Sequence, residues 1–321
     1  MVSVDIEEIR SEFLKYTDAW QSTHTYRGRK SATKYYKNWL DEKPTSWDDV
    51  RAKHIRKWLT DMLSEEYAPR TCRQKAYAVS AMYEYAKEED VLDPTFTNPV
   101  RACDKVQELE KTRVSEKSKR EYLTVDEYRQ LREAADSLRD RAVIVTLWSL
   151  GCRREEATKI TIEDINREER TVDIETAKRG EMAEQEIRTI GYTNEFESML
   201  SQWVDSGARN AWLGANDSDK LLITKEGDMM PDRITKIVRQ TAKDAGIQEV
   251  YDEDVDGNDR YWVRAHLIRK SYGVHRVRNG LSLAMLQAAL GHADIQTTRE
   301  VYLNFRQKER NTQLRNTAPN T

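Results

Sequence analysis

The residues of this 321-residue chain best suited to chemistry crowd toward its C-terminal end. Histidine is scarce, with five in the whole sequence, yet His266, His275 and His292 fall within 27 residues, beside Arg269 and ahead of Tyr302. His266 and Arg269 stand three apart, a spacing that on a helix sets both side chains on one face. There a cation and a proton-transfer group can address the same phosphate. Arginine suits that task because its planar fork matches phosphate oxygens. Other familiar motifs fail. The sequence holds no G-x-x-x-x-G-K, G-x-G-x-x-G or H-E-x-x-H, which leaves nucleotide-driven and zincin chemistry without support. Asp252-Glu253-Asp254-Val255-Asp256-Gly257 begins like a calcium loop, but its twelfth position is Val263 where a bidentate Glu is required, so it reads as an acidic surface loop. Ser31-Ala32-Thr33-Lys34 matches S-x-x-K by letters alone. Cys72, Cys103 and Cys152 stand far apart with no C-x-x-C, which predicts neither a disulfide framework nor a thiolate zinc site.

The string AHLIRKSYGVHRVRNGLSLAMLQAALGHADIQTTREVYL, residues 265–303, resembles the C-terminal signature of the tyrosine recombinases, the phage integrase or Xer-like family. It carries an H-x-x-R at His266 and Arg269, an L-G-H ending at His292, the pair Thr297 and Thr298, and Tyr302. A second H-x-x-R, His275 to Arg278, does not fit the family's interval to L-G-H, and Tyr272, inside the His266 helix, is a poorer nucleophile than Tyr302. Leu150-Gly151-Cys152-Arg153-Arg154-Glu155-Glu156 is similar to the family's earlier arginine segment, which puts Arg153 in the catalytic arginine place and Glu156 beside it as the supporting acid. Lys178, in the turn Thr176-Ala177-Lys178-Arg179-Gly180, fits the place of the family's lysine.

The resemblance implies a DNA strand transferase that needs no metal and no cofactor, because a covalent phosphotyrosine conserves the energy of the broken phosphodiester. Arg153 and Arg269 would neutralise the developing phosphorane. His292 would donate a further hydrogen bond, His266 would serve as base for Tyr302, and Lys178 would protonate the departing 5′ oxygen. It further implies a 3′-phosphotyrosyl intermediate, double-stranded DNA recombination sites as substrate, a homotetramer on that DNA, and an accessory DNA-bending or directionality protein. Other readings of the same residues are a DNA-binding regulator that keeps the fold without catalysis, a type IB topoisomerase-like enzyme that relaxes one strand, and a plain helical interaction protein.

The elements that must position these residues are mostly helical. Ile6, Ile9, Phe13 and Leu14, then Tyr35, Tyr36, Trp39 and Leu40, then Ile55, Trp58, Leu59 and Met62 fall at helical spacing, and a fourth helix is expected from about Thr71 to Glu88. The Asp93–Pro94 and Asn98–Pro99 steps are expected to end it. This gives a helical core-binding domain over residues 1–100. A basic, solvated linker follows over 101–120, with seven Lys/Arg against four Asp/Glu. The catalytic domain is expected over 121–312 and a polar tail over 313–321. Thr124 and Glu127 form a capping-box pattern. Leu138 to Leu150 is apolar almost all round and reads as a central buried helix broken at Gly151. Residues 171–176 and 186–190 alternate in the strand manner, the one convincing sheet signal, and 231–245 and 264–303 read as helices. The fold class is therefore mainly α, with a mixed α/β second domain holding a small antiparallel sheet.

Bulk properties set limits. A mean hydropathy of −0.86 with 34% charged residues excludes membrane spans, and an acidic start without an apolar run points to the cytoplasm. The formal net charge of −3 argues, taken alone, against a nucleic-acid partner, so DNA binding must rest on how charge is distributed. His24 to Lys37 carries Arg27, Arg29, Lys30, Lys34 and Lys37 with no acid, and Arg264 to Arg278 carries five Lys/Arg with none. Two such stretches suit a clamp on a phosphate backbone.

Overall fold

The computed structural model describes residues 5–111, 122–176, 187–253 and 258–291. It divides into two compact units, one of Met1–Glu116 with Glu253–Asn258, the other of Lys117–Asp252 with Asp259–Thr321.

The first unit is built on helices α1 (Ile6–Trp20), α2 (Thr23–Asp41), α3 (Ala52–Ser64), α4 (Pro69–Glu88) and α5 (Asp104–Lys111). Asp5 and Ser22 cap the first two by accepting backbone N–H groups that lack an intrahelical partner. Their apolar faces close on a core rich in aromatic side chains, with Phe13, Tyr36, Trp58 and Tyr83 all buried. The two phenols meet at 2.8 Å, and that of Tyr83 donates to the Trp47 carbonyl. Helix α4 does not run on to the prolines. It stops at Glu88 because Asp90 adopts a left-handed conformation, φ 55°, and the Val91 N–H folds back on the Ala86 carbonyl at 2.9 Å. The described part of the stretch expected as solvated linker, residues 101–111, also differs. Val100, Cys103 and Val106, spaced three apart, are buried in this unit's core and draw α5 onto it.

The second unit contains α6 (Val125–Glu133), α7 (Leu138–Leu150), α8 (Arg154–Ala157), β1 (Ile165–Asn166), β2 (Thr171–Glu175), β3 (Ile187–Gly191), α9 (Asn194–Leu200), β4 (Ile223–Thr224), β5 (Gly227–Asp228), α10 (Pro231–Asp244), β6 (Val250–Glu253), β7 (Asp259–Tyr261), α11 (Ala265–Arg278) and α12 (Leu283–Leu290). The reading of a mainly helical chain with a small antiparallel sheet holds. Thr124 and Glu127 cap α6 reciprocally, as their spacing predicts. Helix α7 is buried on nearly every side and ends at Gly151, φ 59°. A Cβ there would also lie 2.4 Å from the Tyr272 ring, so both backbone and packing require glycine. Strands β1, β2 and β3 form an antiparallel sheet in that order, with Val172 opposite Ile190 and Ile174 opposite Arg188. Two further pairs, β4–β5 and β6–β7, went unpredicted because strands of two to four residues leave too little alternation to read. Of the region read as helical over 264–303, the described part, to Gly291, holds two helices parted by residues 279–282. No helix among the described residues is long and apolar enough to cross a membrane.

Candidate active site

Four of the second unit's elements converge on one carboxylate. Glu156, in the single turn of α8, is buried, and desolvation alone would raise its pKa. The cations around it prevail. Its Oε2 accepts from Arg188 Nη2 at 2.6 Å and from the Arg153 backbone N–H at 2.8 Å, and lies 3.4 Å from Arg269 Nη1. Its Oε1 accepts from Arg153 Nη1 at 2.5 Å. Together these hold the carboxyl down at about 2. Arg153 comes from the loop just past Gly151, Arg188 from the inward face of β3, and Arg269 from the buried face of α11.

The same three guanidinium groups grip the end of α12. Arg188 Nε donates to the Ala289 carbonyl at 2.9 Å, Arg269 Nη2 to Leu290 at 2.5 Å, and Arg153 Nη2 reaches Gly291 at 3.4 Å. The last carbonyls of a helix have no intrahelical donor and carry its partial negative charge, so cations there are favourable. Arg269 Nη1 also donates to the Gly151 carbonyl at 2.9 Å. One carboxylate and a helix end thus face three full positive charges. Arg269 registers the shortfall: burial, then the charge of Arg153, bring its pKa down to about 10 although Glu156 opposes the fall. It stays protonated at neutral pH, and an added anion would relieve the repulsion.

His266 lies three residues before Arg269 on α11, as the sequence reading required, with its side chain exposed. The protein around the ring, followed by Arg269, Arg264, Lys270 and Arg153, lowers its pKa, so the imidazole stays neutral, in its proton-accepting form, to lower pH than usual. Arg153 keeps 24% of its side chain exposed, against 4% for Arg269 and 8% for Arg188. An incoming anion therefore meets Arg153 and His266 first.

The other candidate groups separate clearly. His275 is bound to the Leu123 carbonyl at 2.8 Å and packed against Trp148 and Tyr122, a structural role. Tyr272 is buried against Gly151, and burial raises the pKa of its phenol. Burial likewise pushes the Cys152 thiol up to about 12, which removes it as a nucleophile. Lys178, His292, Tyr302, the Thr297–Thr298 pair and residues 254–257 of the acidic loop lie outside the described residues. Sequence reasoning missed Arg188. Its signal was available: in the alternating stretch Ile187-Arg188-Thr189-Ile190-Gly191, arginine occupies the same inward register as Ile190.

Each unit also carries a row of exposed cations. Arg233, Lys236, Arg239 and Lys243 lie on the outer face of α10, opposite the buried Ile234, Ile237 and Val238. In the first unit, Arg27, Lys30 and Lys34 are exposed on α2. Arg29 and Lys37 of the same run are otherwise engaged, Arg29 over the Phe13 ring and Lys37 with Asp41.

The second unit is thus mostly helical, with a small antiparallel sheet and three arginines gathered around one carboxylate. Residues 121–309, more than half of the chain, match the profile of the phage integrase family. The chain belongs to that family, the tyrosine recombinases, and its class of activity is site-specific recombination. Similar sequences include the tyrosine recombinase XerC of Natranaerobius thermophilus, 23% identical over 274 residues that cover 81% of this chain and 80% of that protein. The tyrosine recombinase XerA of Pyrococcus horikoshii is 25% identical over 180 residues, 55% of this chain and 54% of that one. Among solved structures, the XerH site-specific recombinase in a post-cleavage complex with palindromic difH substrate has a similar fold. Its TM-score is 0.70 at 17% identity, covering 97% of this chain and 84% of that one. A lambda integrase tetramer bound to a Holliday junction gives 0.66 at 17% identity, covering 94% and 78%.

Proposed function

We propose that this protein cuts and rejoins double-stranded DNA at specific sites through a covalent 3′-phosphotyrosine on Tyr302, acting as a tetramer on paired sites. The observation that carries the reading is the imbalance around Glu156, where three guanidinium groups share one carboxylate. A cluster of that kind suits a phosphodiester, whose charge increases on the non-bridging oxygens as it becomes pentacoordinate. Arg153 and Arg269 take those oxygens, and His292 adds a hydrogen bond. His266, kept neutral by the protein around its ring and then by the neighbouring cations, accepts the Tyr302 phenolic proton, since a phenol of pKa about 10 is a weak nucleophile at neutral pH. The tyrosine oxygen bonds to phosphorus, the bond to the 5′ oxygen breaks, and Lys178 supplies that oxygen with its proton. Attack by a partner strand's 5′ hydroxyl reverses these steps and frees the tyrosine. The first unit, with its exposed row on α2, grips backbone while the face of α10 offers further phosphate contacts.

The test is a covalent trap. Nicked suicide duplexes tiled across the DNA that flanks the coding gene are incubated with the protein, denatured, and resolved for a protein–DNA adduct. The wild type is expected to give one on a subset of duplexes and Tyr302→Phe none. An adduct that survives Tyr302→Phe would move the nucleophile to another residue, and tight binding without any adduct would favour the regulator reading.

A further inference from the structure

Arg188 is the member of the arginine cluster that the tyrosine-recombinase resemblance does not call for, and it makes the most connections. From the middle of β3 its guanidinium bridges three separate pieces of chain. Nη2 donates to Glu156 of α8 at 2.6 Å, Nε to the Ala289 carbonyl at the end of α12 at 2.9 Å, and Nη1 to Thr176 Oγ1, just beyond β2, at 3.2 Å. A Cβ added at Gly291 would approach Nη1 to 3.3 Å, so the chain just before His292 lies directly against this side chain. Each of its three nitrogens thus donates to a protein acceptor, which makes the side chain a junction between these segments.

Its effect must pass through its neighbours. Glu156 Oε2 serves Arg188 and Arg269 together, while Oε1 serves Arg153. How firmly Arg188 takes its share decides where the carboxylate sits and hence where the other two guanidinium groups point. The three arginines also take three consecutive carbonyls, Ala289, Leu290 and Gly291, in fixed order. Removing the first grip would let the end of α12 shift against the other two. Thr176 stands two residues ahead of Lys178 in the sequence and Gly291 directly ahead of His292. One side chain thus anchors the points from which both segments depart.

We infer that Arg188 is a positioning residue for strand cleavage, aligning Arg153 and Arg269 on the scissile phosphate through the shared Glu156 carboxylate and the end of α12. The inference rests on the recombinase reading above. Lysine cannot replace it, because a single ammonium lacks the planar fork that reaches a carboxylate, a hydroxyl and a carbonyl at once.

The experiment uses a suicide duplex that the wild type cleaves, made with a phosphorothioate at the scissile position and separated into its two diastereomers. Sulfur replaces one non-bridging oxygen or the other, so the ratio of the two cleavage rates reports how each oxygen is held. In Arg188→Lys the rate at saturating DNA is expected to fall about tenfold or more, since a displacement near 1 Å can cost roughly 10². The diastereomer ratio is expected to change as well, while the DNA affinity of the folded protein stays near wild type. A merely structural role would lower the folded fraction and leave the ratio as it was, and that result overturns the inference. If Arg188→Lys does not fold, Thr176→Val removes one acceptor and leaves Arg188 in place; a changed ratio supports the inference and an unchanged one overturns it. Absence of cleavage by the wild type would sink the recombinase reading and this inference together, whereas wild-type cleavage with an unmoved ratio in the variants sinks the inference alone.

Discussion

The two units bury polar groups in opposite ways. In the first, the hydrogen-bonded buried side chains are neutral: the Tyr36 and Tyr83 hydroxyls bind each other and Asn98 binds Ser80 and Glu84, while Trp58 Nε1 is left without a partner among the described residues. In the second, Glu156 and four arginines, at positions 139, 188, 209 and 269, are buried. These arginines do not all mean the same thing. Arg209 spends its donors on the Ser218 and Lys220 carbonyls, and Arg139 pairs with the adjacent Asp140, so each is satisfied where it stands. Arg153, Arg188 and Arg269 compete for one carboxylate. Stability alone does not favour such a cluster, since replacing buried ion pairs by packed apolar residues is often neutral or stabilising. Buried arginine by itself marks nothing; one carboxylate shared by three guanidinium groups leaves an excess of positive charge.

That contrast is open to a direct break. Glu156→Gln removes the carboxylate that Arg153, Arg188 and Arg269 share and should cost about 3–5 kcal/mol of stability. Tyr36→Phe deletes one side of a neutral pair while the Tyr83 hydroxyl keeps the Trp47 carbonyl, and should cost only about 1 kcal/mol. Denaturant titration of both variants against the wild type measures the difference. Comparable losses would show that the charged cluster is no more demanding than the aromatic core.

Gly151→Ala tests the same cluster from its backbone. The substitution imposes a left-handed conformation costing about 1–2 kcal/mol and drives a methyl into the buried Tyr272 ring, overpacking worth about 1–3 kcal/mol. Because the Gly151 carbonyl is also an acceptor for Arg269, cleavage should weaken along with stability. Gly280 provides the control. It too has positive φ, 97°, but a Cβ there meets nothing within 4 Å, so Gly280→Ala should carry only the backbone strain. Equal melting temperatures for the two variants would mean that Tyr272 yields easily and that the α7–α11 contact is softer than its geometry indicates.

What could be read from sequence follows the same division. Long, strongly patterned segments were legible: the aromatic faces of α1 to α4, the all-round apolar α7, the Thr124–Glu127 cap and the alternating β2 and β3. So were Arg153, Glu156 and Arg269 as a group, which the structure joins within hydrogen-bonding distance. Short features were not. Helix α5 hid in a charged stretch because Val106 and Leu109 are its only apolar residues, and β4 and β5 have two residues each. Arg188 escaped for a different reason. Alternation was sought as apolar against polar, and an arginine in the inward register looks like an interruption of the strand when it is the point of contact between sheet and site.

The smallest effect should be one of pH. His266 titrates below its ordinary value of about 6.5, first because protein surrounds the ring and then because Arg269, Arg264, Lys270 and Arg153 oppose a further positive charge. If the neutral imidazole is the base, single-turnover cleavage should rise with pH along a limb centred below that value and be flat above it. Arg264 caps α11 two residues from His266 and lies over the Tyr251 ring, outside the arginine cluster around Glu156. Arg264→Gln removes one opposing cation, which makes protonation easier, raises the histidine's pKa and moves the limb to higher pH by a fraction of a unit. The variant should therefore be slower than wild type only at acid pH and match it on the plateau. A limb that stays fixed in Arg264→Gln would take the base role away from His266. A uniform loss at every pH would instead place Arg264 among the DNA contacts, a cationic edge shared with the outer face of α10 and unrelated to proton transfer.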